Sequence, residues 1–442
     1  MIQDNKVNRL NKGEIRERVQ ALKEALKQLH EGADPKEVKE KIKNVLKGLR
    51  PWEIPVVEQQ LVKEGVRPED IVALCDAHIE LFRDALRGPK DLKGLPKGHP
   101  LRELLEENDE IVKDAENLTL YARALLSAKD DGTLREYVNA LGRLTGKLFG
   151  VRAHYTKLQM LLYPYLERRG LTAVPRVLWV KEDQILAKVK LLAKRLREGA
   201  PKGELARIAT DLANALIDMV YRENNILLPT AKALLSEGEW AAIALEAPAL
   251  GRYGREETGA SEGEWVPREP PKWPYEVSSE GIGEDALKAL PKEVRATIGE
   301  LDKYSPTSKD SIELREGYLT PKEVDAILRT LPLDISFIDA NDRLKYWSAG
   351  KERIFPRTRT VIGRRVDLCH PPKSVHVVRR LIEEFKAGKR DSAEFWIRMG
   401  GRLIYIRYYP VRDEGGNYLG TLEVVQDVTK IKELEGEKRL LD

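Results

Sequence analysis

Cysteine and methionine are nearly absent from this chain, with two and four copies in 442 residues. Cys75 and Cys369 lie far apart and give no sign of the disulfide framework that small secreted domains use. No apolar run approaches the roughly 18 residues that a membrane span needs. The opening MIQDNKVNRLNKGEIRERVQ is polar and mixed in charge, unlike a signal or transit peptide. A dominant charge is missing too: 76 basic and 72 acidic side chains leave a net +4. That balance gives nucleic acid or an anionic membrane little to hold. The expectation is a cytoplasmic chain with neither as partner. P-loop and kinase signatures are lacking. Gly400-Gly401 and Gly415-Gly416 fit hairpin turns rather than phosphate cradles, and Ser305 to Ser308 reads as linker. With no catalytic constellation, the chain is expected not to be an enzyme.

Hydrophobic residues, at 42%, suffice for ordinary cores, and the length calls for about two to four domains. Charged residues reach 33% with both signs interleaved, above the usual value of about 25%. Dense mixed charge with few labile residues is the composition expected of a heat-adapted protein.

From Glu14 to Leu86 hydrophobic residues recur three and four apart, broken at Gly32–Pro35, Gly48–Pro51 and Gly65–Pro68. Asp34-Pro35 is an N-cap followed by proline at the first helical position. Residues 1–88 therefore read as a small helical domain of about four helices. Residues 99–245 carry longer helical periods with breaks near Asp130–Thr133, Gly170–Pro175 and Gly199–Gly203, which an up-and-down four-helix bundle satisfies. Five prolines and four glycines crowd Glu246–Tyr275, marking 246–319 as linker or wrapping segment, with a weak helix over 283–302. Trp265 and Trp273 imply that parts of it dock on a domain. After Tyr318 the period changes. Thr320-Pro321-Lys322-Glu323 opens a helix with a capping box, and strands follow at 334–339, 344–347, 393–398, 403–411 and 418–425, with a helix from Pro371 to Phe385. That order is a mixed α/β sheet with helices on one face. The fold class is thus multidomain: an all-α N-terminal half, then an α/β domain.

The C-terminal order over 320–430 is similar to a PAS domain. The run Gly420-Thr421-Leu422-Glu423-Val424-Val425-Gln426-Asp427-Val428-Thr429 resembles its last strand and the Asp-x-Thr junction that starts a signalling helix, here 431–442. In the middle, His154-Tyr155 with Leu161-Leu162-Tyr163-Pro164-Tyr165-Leu166, and Glu223-Asn224-Asn225-Ile226-Leu227-Leu228-Pro229, resemble the second and fourth helices of a hemerythrin-type bundle. Gly98-His99-Pro100 stands where a ligand histidine would be expected. The N-terminus, with Leu29-His30-Glu31-Gly32 and Leu74-Cys75-Asp76-Ala77-His78, resembles an uncharacterised helical domain that precedes such units in archaea and bacteria.

The resemblance implies a metal site, yet the ligand inventory falls short of two irons. Where the family places a glutamate four residues after the second-helix histidine, this chain has Leu158, then Gln159. The third helix offers Trp179-Val180-Lys181-Glu182-Asp183 in place of a histidine, and Asn224 follows Glu223. Two readings remain: a single divalent ion on His99, His154 and Glu223, or remnants whose hydrogen bonds serve packing. Cys75 and His78, three apart on an inward stripe, could bind metal or haem with His30, or be ordinary core residues. Cys369 and His370 precede a helix, where a thiol pKa is lowered, so Cys369 is a redox candidate beside its structural reading. His376 lies opposite the apolar stripe of Val375, Val378, Leu381, Ile382 and Phe385, which places it at the surface or at a partner interface.

The function these features suggest is a sensor or regulatory protein that perceives a redox, gas or small-molecule signal and passes it to a protein partner. The alternatives are a metal- or haem-binding protein handling iron, oxygen or nitric oxide, and a scaffold without ligand. Apolar stripes at Ile327, Leu328 and Leu331, and at Val428, Ile431 and Leu434, suggest a homodimer.

Overall fold

The computed structural model describes residues 12–46, 49–66, 70–71, 92, 94–254, 265–276, 302, 304–348, 350, 353–369 and 375–439. The chain divides into two compact units, Met1–Ser305 and Pro306–Asp442.

In the first unit α1 (Lys12–His30), α2 (Pro35–Lys41), α3 (Lys43–Leu46) and α4 (Glu53–Lys63) form the small N-terminal group. Asp34 caps α2 as its sequence demands, accepting from the Lys36 N–H at 2.7 Å. Four rods follow: α5 (Pro100–Ser127); α6 (Asp131–Leu148) continued by α7 (Val151–Lys157) and α8 (Tyr163–Arg168); α9 (Ala173–Arg197); and α10 (Lys202–Arg222) continued by α11 (Leu228–Leu234). They make the four-helix bundle, with α10 packed along α5. One apolar cluster runs from Val19, Leu22 and Leu61 through Leu101, Tyr155 and Leu212 to Tyr253, so the small helical group and the bundle share a core. The Gln59 side-chain oxygen strengthens that joint by accepting from the N–H groups of Thr172 and Ala173, which open α9.

A further helix, α12 (Glu237–Glu246), carries a complete Ser236/Glu239 capping box. Both oxygens of its Glu239 accept from Nη2 of the buried Arg169, each at 2.8 Å. The described parts of 246–276 wrap the bundle: Trp265 N–H donates to the Lys97 carbonyl and Lys272 N–H to that of Gly238, both at 2.9 Å. The tryptophan-based expectation of docking fits this arrangement. The weak helix expected at 283–302 falls almost wholly outside the described residues.

The second unit holds a hairpin, β1 (Ile312–Leu314) and β2 (Gly317–Leu319), then α13 (Pro321–Thr330), β3 (Asp334–Asp339), β4 (Leu344–Trp347), α14 (Val375–Lys386), β5 (Ala393–Met399), β6 (Arg402–Arg412), β7 (Tyr418–Asp427) and α15 (Thr429–Lys432). The hairpin lies in the stretch read as linker. Its Ile312 and Leu314 are exposed, so no buried face marks it in sequence. β3 to β7 form one antiparallel sheet in the order β4-β3-β7-β6-β5. α14 buries Ile382 and Phe385 and packs on β6 and β7. Residues 433–439 leave the helix, in contrast to the signalling helix expected over 431–442. Ile431 and Leu434 are exposed there, and a helix of so few residues is marginal without packing. No described helix is long and apolar enough to cross a membrane.

Candidate functional site: a buried charge cluster and a sheet cavity

Two places gather polar groups inside the protein. The first lies in the bundle core. His154 on α7 is fully buried, with Nδ1 2.8 Å from Glu107 Oε2 on α5 and Nε2 2.8 Å from Glu223 Oε2. Lys157, one helical turn on, donates to Glu107 Oε1, which also accepts from the Tyr253 N–H at 2.8 Å. Burial alone would push the imidazole down. The Glu223 charge, and then the bonds to both carboxylates, overcome it and raise His154 to about 9. Burial likewise opposes the Glu107 carboxylate, but the His154 bond and charge and then Lys157 hold it at about 2. At neutral pH both ring N–H groups therefore donate, one to Glu107 and one to Glu223.

Two π-helical segments, Leu158–Leu162 and Glu223–Leu227, abut this cluster. Each leads into a proline, Pro164 or Pro229, which has no N–H for an ordinary helical bond. The wider turn absorbs the defect, with Tyr163 N–H donating to the Leu158 carbonyl and Leu228 N–H to that of Glu223. Beside them, Glu182 on α9 accepts from Tyr163 Oη and Gln159 Nε2. Burial, only partly offset by these bonds, pushes it up to about 7. A carboxyl raised from 4.5 contributes stability at low pH that is lost as pH climbs from 4.5 through 7. Glu182→Gln should remove that slope from the pH dependence of unfolding, a span of about 3 kcal/mol. Urea unfolding of the bundle at several pH values checks it, and an unchanged slope refutes it.

Of the residues proposed for a single-ion site, His154 and Glu223 meet and His99 does not join them. His99 caps α5, its Nδ1 accepting from the Leu101 N–H at 3.1 Å, and packs against Trp240 and Trp265. Burial lowers it to about 4. Glu107 stands eight residues further on, about 12 Å along the helix axis. Cys75, His78 and His370 lie outside the described residues, while His30 ends α1 and Cys369 ends a short 3-10 turn. Glu107, Lys157 and Tyr253 were absent from the sequence expectation; Lys157, three after His154, carries the clearest signal, since that spacing shares a helix face.

The second place is a cavity of about 560 Å³ between α14 and the sheet. Leu344, Val378, Ile382 and Phe395 give it apolar walls, and Arg357, Tyr408 and Glu423 are among its polar lining. Glu423 is buried, accepts from Tyr408 Oη at 3.0 Å and pairs with Arg357 at 3.2 Å. Burial, and then the Glu423 charge, raise the Tyr408 phenol, so it stays protonated as donor. His376 is exposed. From the cavity wall β7 runs to Asp427, whose Oδ1 accepts from the Thr429 hydroxyl and N–H at 2.6 and 3.0 Å.

Three family models match in sequence order: a family of unknown function (DUF438) over residues 22–88, the hemerythrin HHE cation binding domain over 99–231, and the PAS domain over 324–429. The chain joins DUF438, hemerythrin and PAS regions. No curated protein matches it. Among solved structures, the C-terminal domain of a protein from Streptococcus mutans is 34% identical, covering 30% of this chain and 100% of its own, at TM-score 0.28. The PAS domain of a Colwellia psychrerythraea protein is 19% identical, covering 25% and 97%, at TM-score 0.21. A sensory box sensor histidine kinase from Vibrio cholerae is 15% identical, covering 24% and 90%, at TM-score 0.20. A PAS domain joined to a hemerythrin domain supports a sensory role.

The hemerythrin match implies a cation, and the residues present do not fit one. His154 spends both ring nitrogens on carboxylates, and Glu107 spends both oxygens on His154, Lys157 and Tyr253. In this cluster Glu223 Oε1 and Tyr155 Oη are buried without a hydrogen-bond partner, and two such oxygens are too few for an ion. Among the described residues no group of three His, Cys, Asp or Glu could hold a metal.

Proposed function

We propose that this chain is a non-enzymatic sensor whose PAS domain takes up a small organic molecule and whose response is read by a protein partner. The observation that carries this reading is the cavity: about 560 Å³, within the range of about 300–1,000 Å³ typical of ligand sites. Its apolar walls suit a flat or aliphatic body. The Tyr408–Glu423–Arg357 cluster suits one hydroxyl or amine at the ligand's end. No histidine or cysteine stands among the described residues that line it, which favours an organic ligand over haem held by an axial residue. A route outward exists along β7, because Thr421 and Glu423 face the cavity and the same strand ends in the Asp427–Thr429 junction.

Native mass spectrometry of the full chain, purified without denaturant, tests the proposal. The wild-type protein should carry a small-molecule mass excess. Ala393→Trp, which places an indole in the cavity wall, should abolish it while leaving the protein folded. No excess in the wild type, or an excess that survives in the folded variant, contradicts the reading.

A further inference from the structure

We propose that Lys157 is the bundle's built-in cation: its ammonium and the His154 imidazolium together neutralise Glu107 and Glu223, and so close the core to a divalent metal.

The placement begins with spacing. Lys157 follows His154 by three residues, so both side chains leave α7 on one face and reach the carboxylates between the helices. Its side chain is 6% exposed and that of Glu107 is fully buried, which puts the ion pair inside the core rather than at its rim. A lysine is rarely buried unless paired, and this one is paired with the carboxylate that also holds His154. Two acidic side chains, Glu107 and Glu223, thus meet two basic ones, His154 and Lys157, and the pairing is complete without any added ion.

An entering divalent ion would have to strip the imidazolium of a proton, break its bonds to Glu107 and Glu223, and then sit beside a buried ammonium. Each of these steps opposes uptake, and the last is repulsion between like charges in a medium that screens poorly. The hemerythrin region thus keeps a cation-centred core in which the cation is covalently part of the chain. The inference does not rest on the PAS reading and stands or falls separately from it.

The test uses the untagged full chain with cobalt(II) under anaerobic conditions, read by ligand-field absorption and by metal analysis after desalting. The wild type should bind no cobalt in the bundle, and cobalt should leave the bundle's melting temperature unmoved. Lys157→Met, which removes the ammonium and leaves Glu107 Oε1 with the Tyr253 N–H alone, should take up about one equivalent, at least about ten-fold more tightly than the wild type, the weight of one adjacent charge. Lys157→Arg keeps the charge and should stay metal-free. Adding His154→Leu to Lys157→Met identifies the site, since bundle cobalt is lost with the imidazole and cobalt held elsewhere survives. Stoichiometric bundle metal in the wild type overturns the proposal. So does a folded Lys157→Met, or Lys157→Gln should the methionine variant not fold, that binds no better than the wild type.

Discussion

Replacing His154 with leucine should cost the first unit about 3–5 kcal/mol at pH 7, the usual effect of removing one member of a buried ion pair. The two carboxylates then fare differently. Glu107 keeps Lys157 and the Tyr253 N–H, whereas Glu223 loses its hydrogen bond to His154 and finds no other side-chain partner among the described residues. His154→Leu combined with Glu223→Leu should therefore recover most of the loss, because removing both members of such a pair is close to neutral. The pH dependence has a definite sign. His154 is raised to about 9 from 6.5, so its stabilisation is complete below 6.5 and lost as pH rises through 9. The gap between wild type and His154→Leu should narrow over that window. Urea denaturation followed by hydrogen exchange in α5 and α10 measures all three proteins. A single-variant cost below about 1 kcal/mol would mean that the cluster does not hold the bundle.

In the PAS domain the largest effect is expected at Gly420. The residue lies within β7, between Asp339 of β3 and Val411 of β6. A Cβ there would fall 2.2 Å from the Ile338 carbonyl oxygen and 2.7 Å from the Phe337 ring. The ring can turn aside, but the carbonyl belongs to a paired strand and cannot. Gly420→Val should cost about 3 kcal/mol, the upper end of ordinary overpacking, and it should loosen the wall next to Thr421 and Glu423. Exchange protection of β3 and β7 amides checks this in the full chain, with the first unit as internal control. Protection equal to wild type would mean that the strands do not approach so closely.

The PAS strands were legible because their signals are local. Alternation places β3 and β4 at the expected residues, and Thr320 and Glu323 form the expected capping box. α12 has the same signature at Ser236 and Glu239, within the stretch read as the bundle's end. The charge cluster was harder to see for a physical reason. Glu107 and His154 are 47 residues apart, His154 and Glu223 69, and Glu107 and Tyr253 146, so no spacing rule links them. His99 looked like a ligand because an imidazole before a proline reads the same whether it binds a metal or caps a helix. The cavity depends on how far α14 stands from the sheet, which no residue pattern states.

A crystal structure of the full chain, purified without denaturant, tests the central claim most directly. The account predicts electron density for a small organic molecule bounded by Leu344, Ile382 and Phe395, with a polar atom in hydrogen-bonding reach of Tyr408 or Glu423. A cavity collapsed onto its own side chains, or filled by water alone, would contradict it.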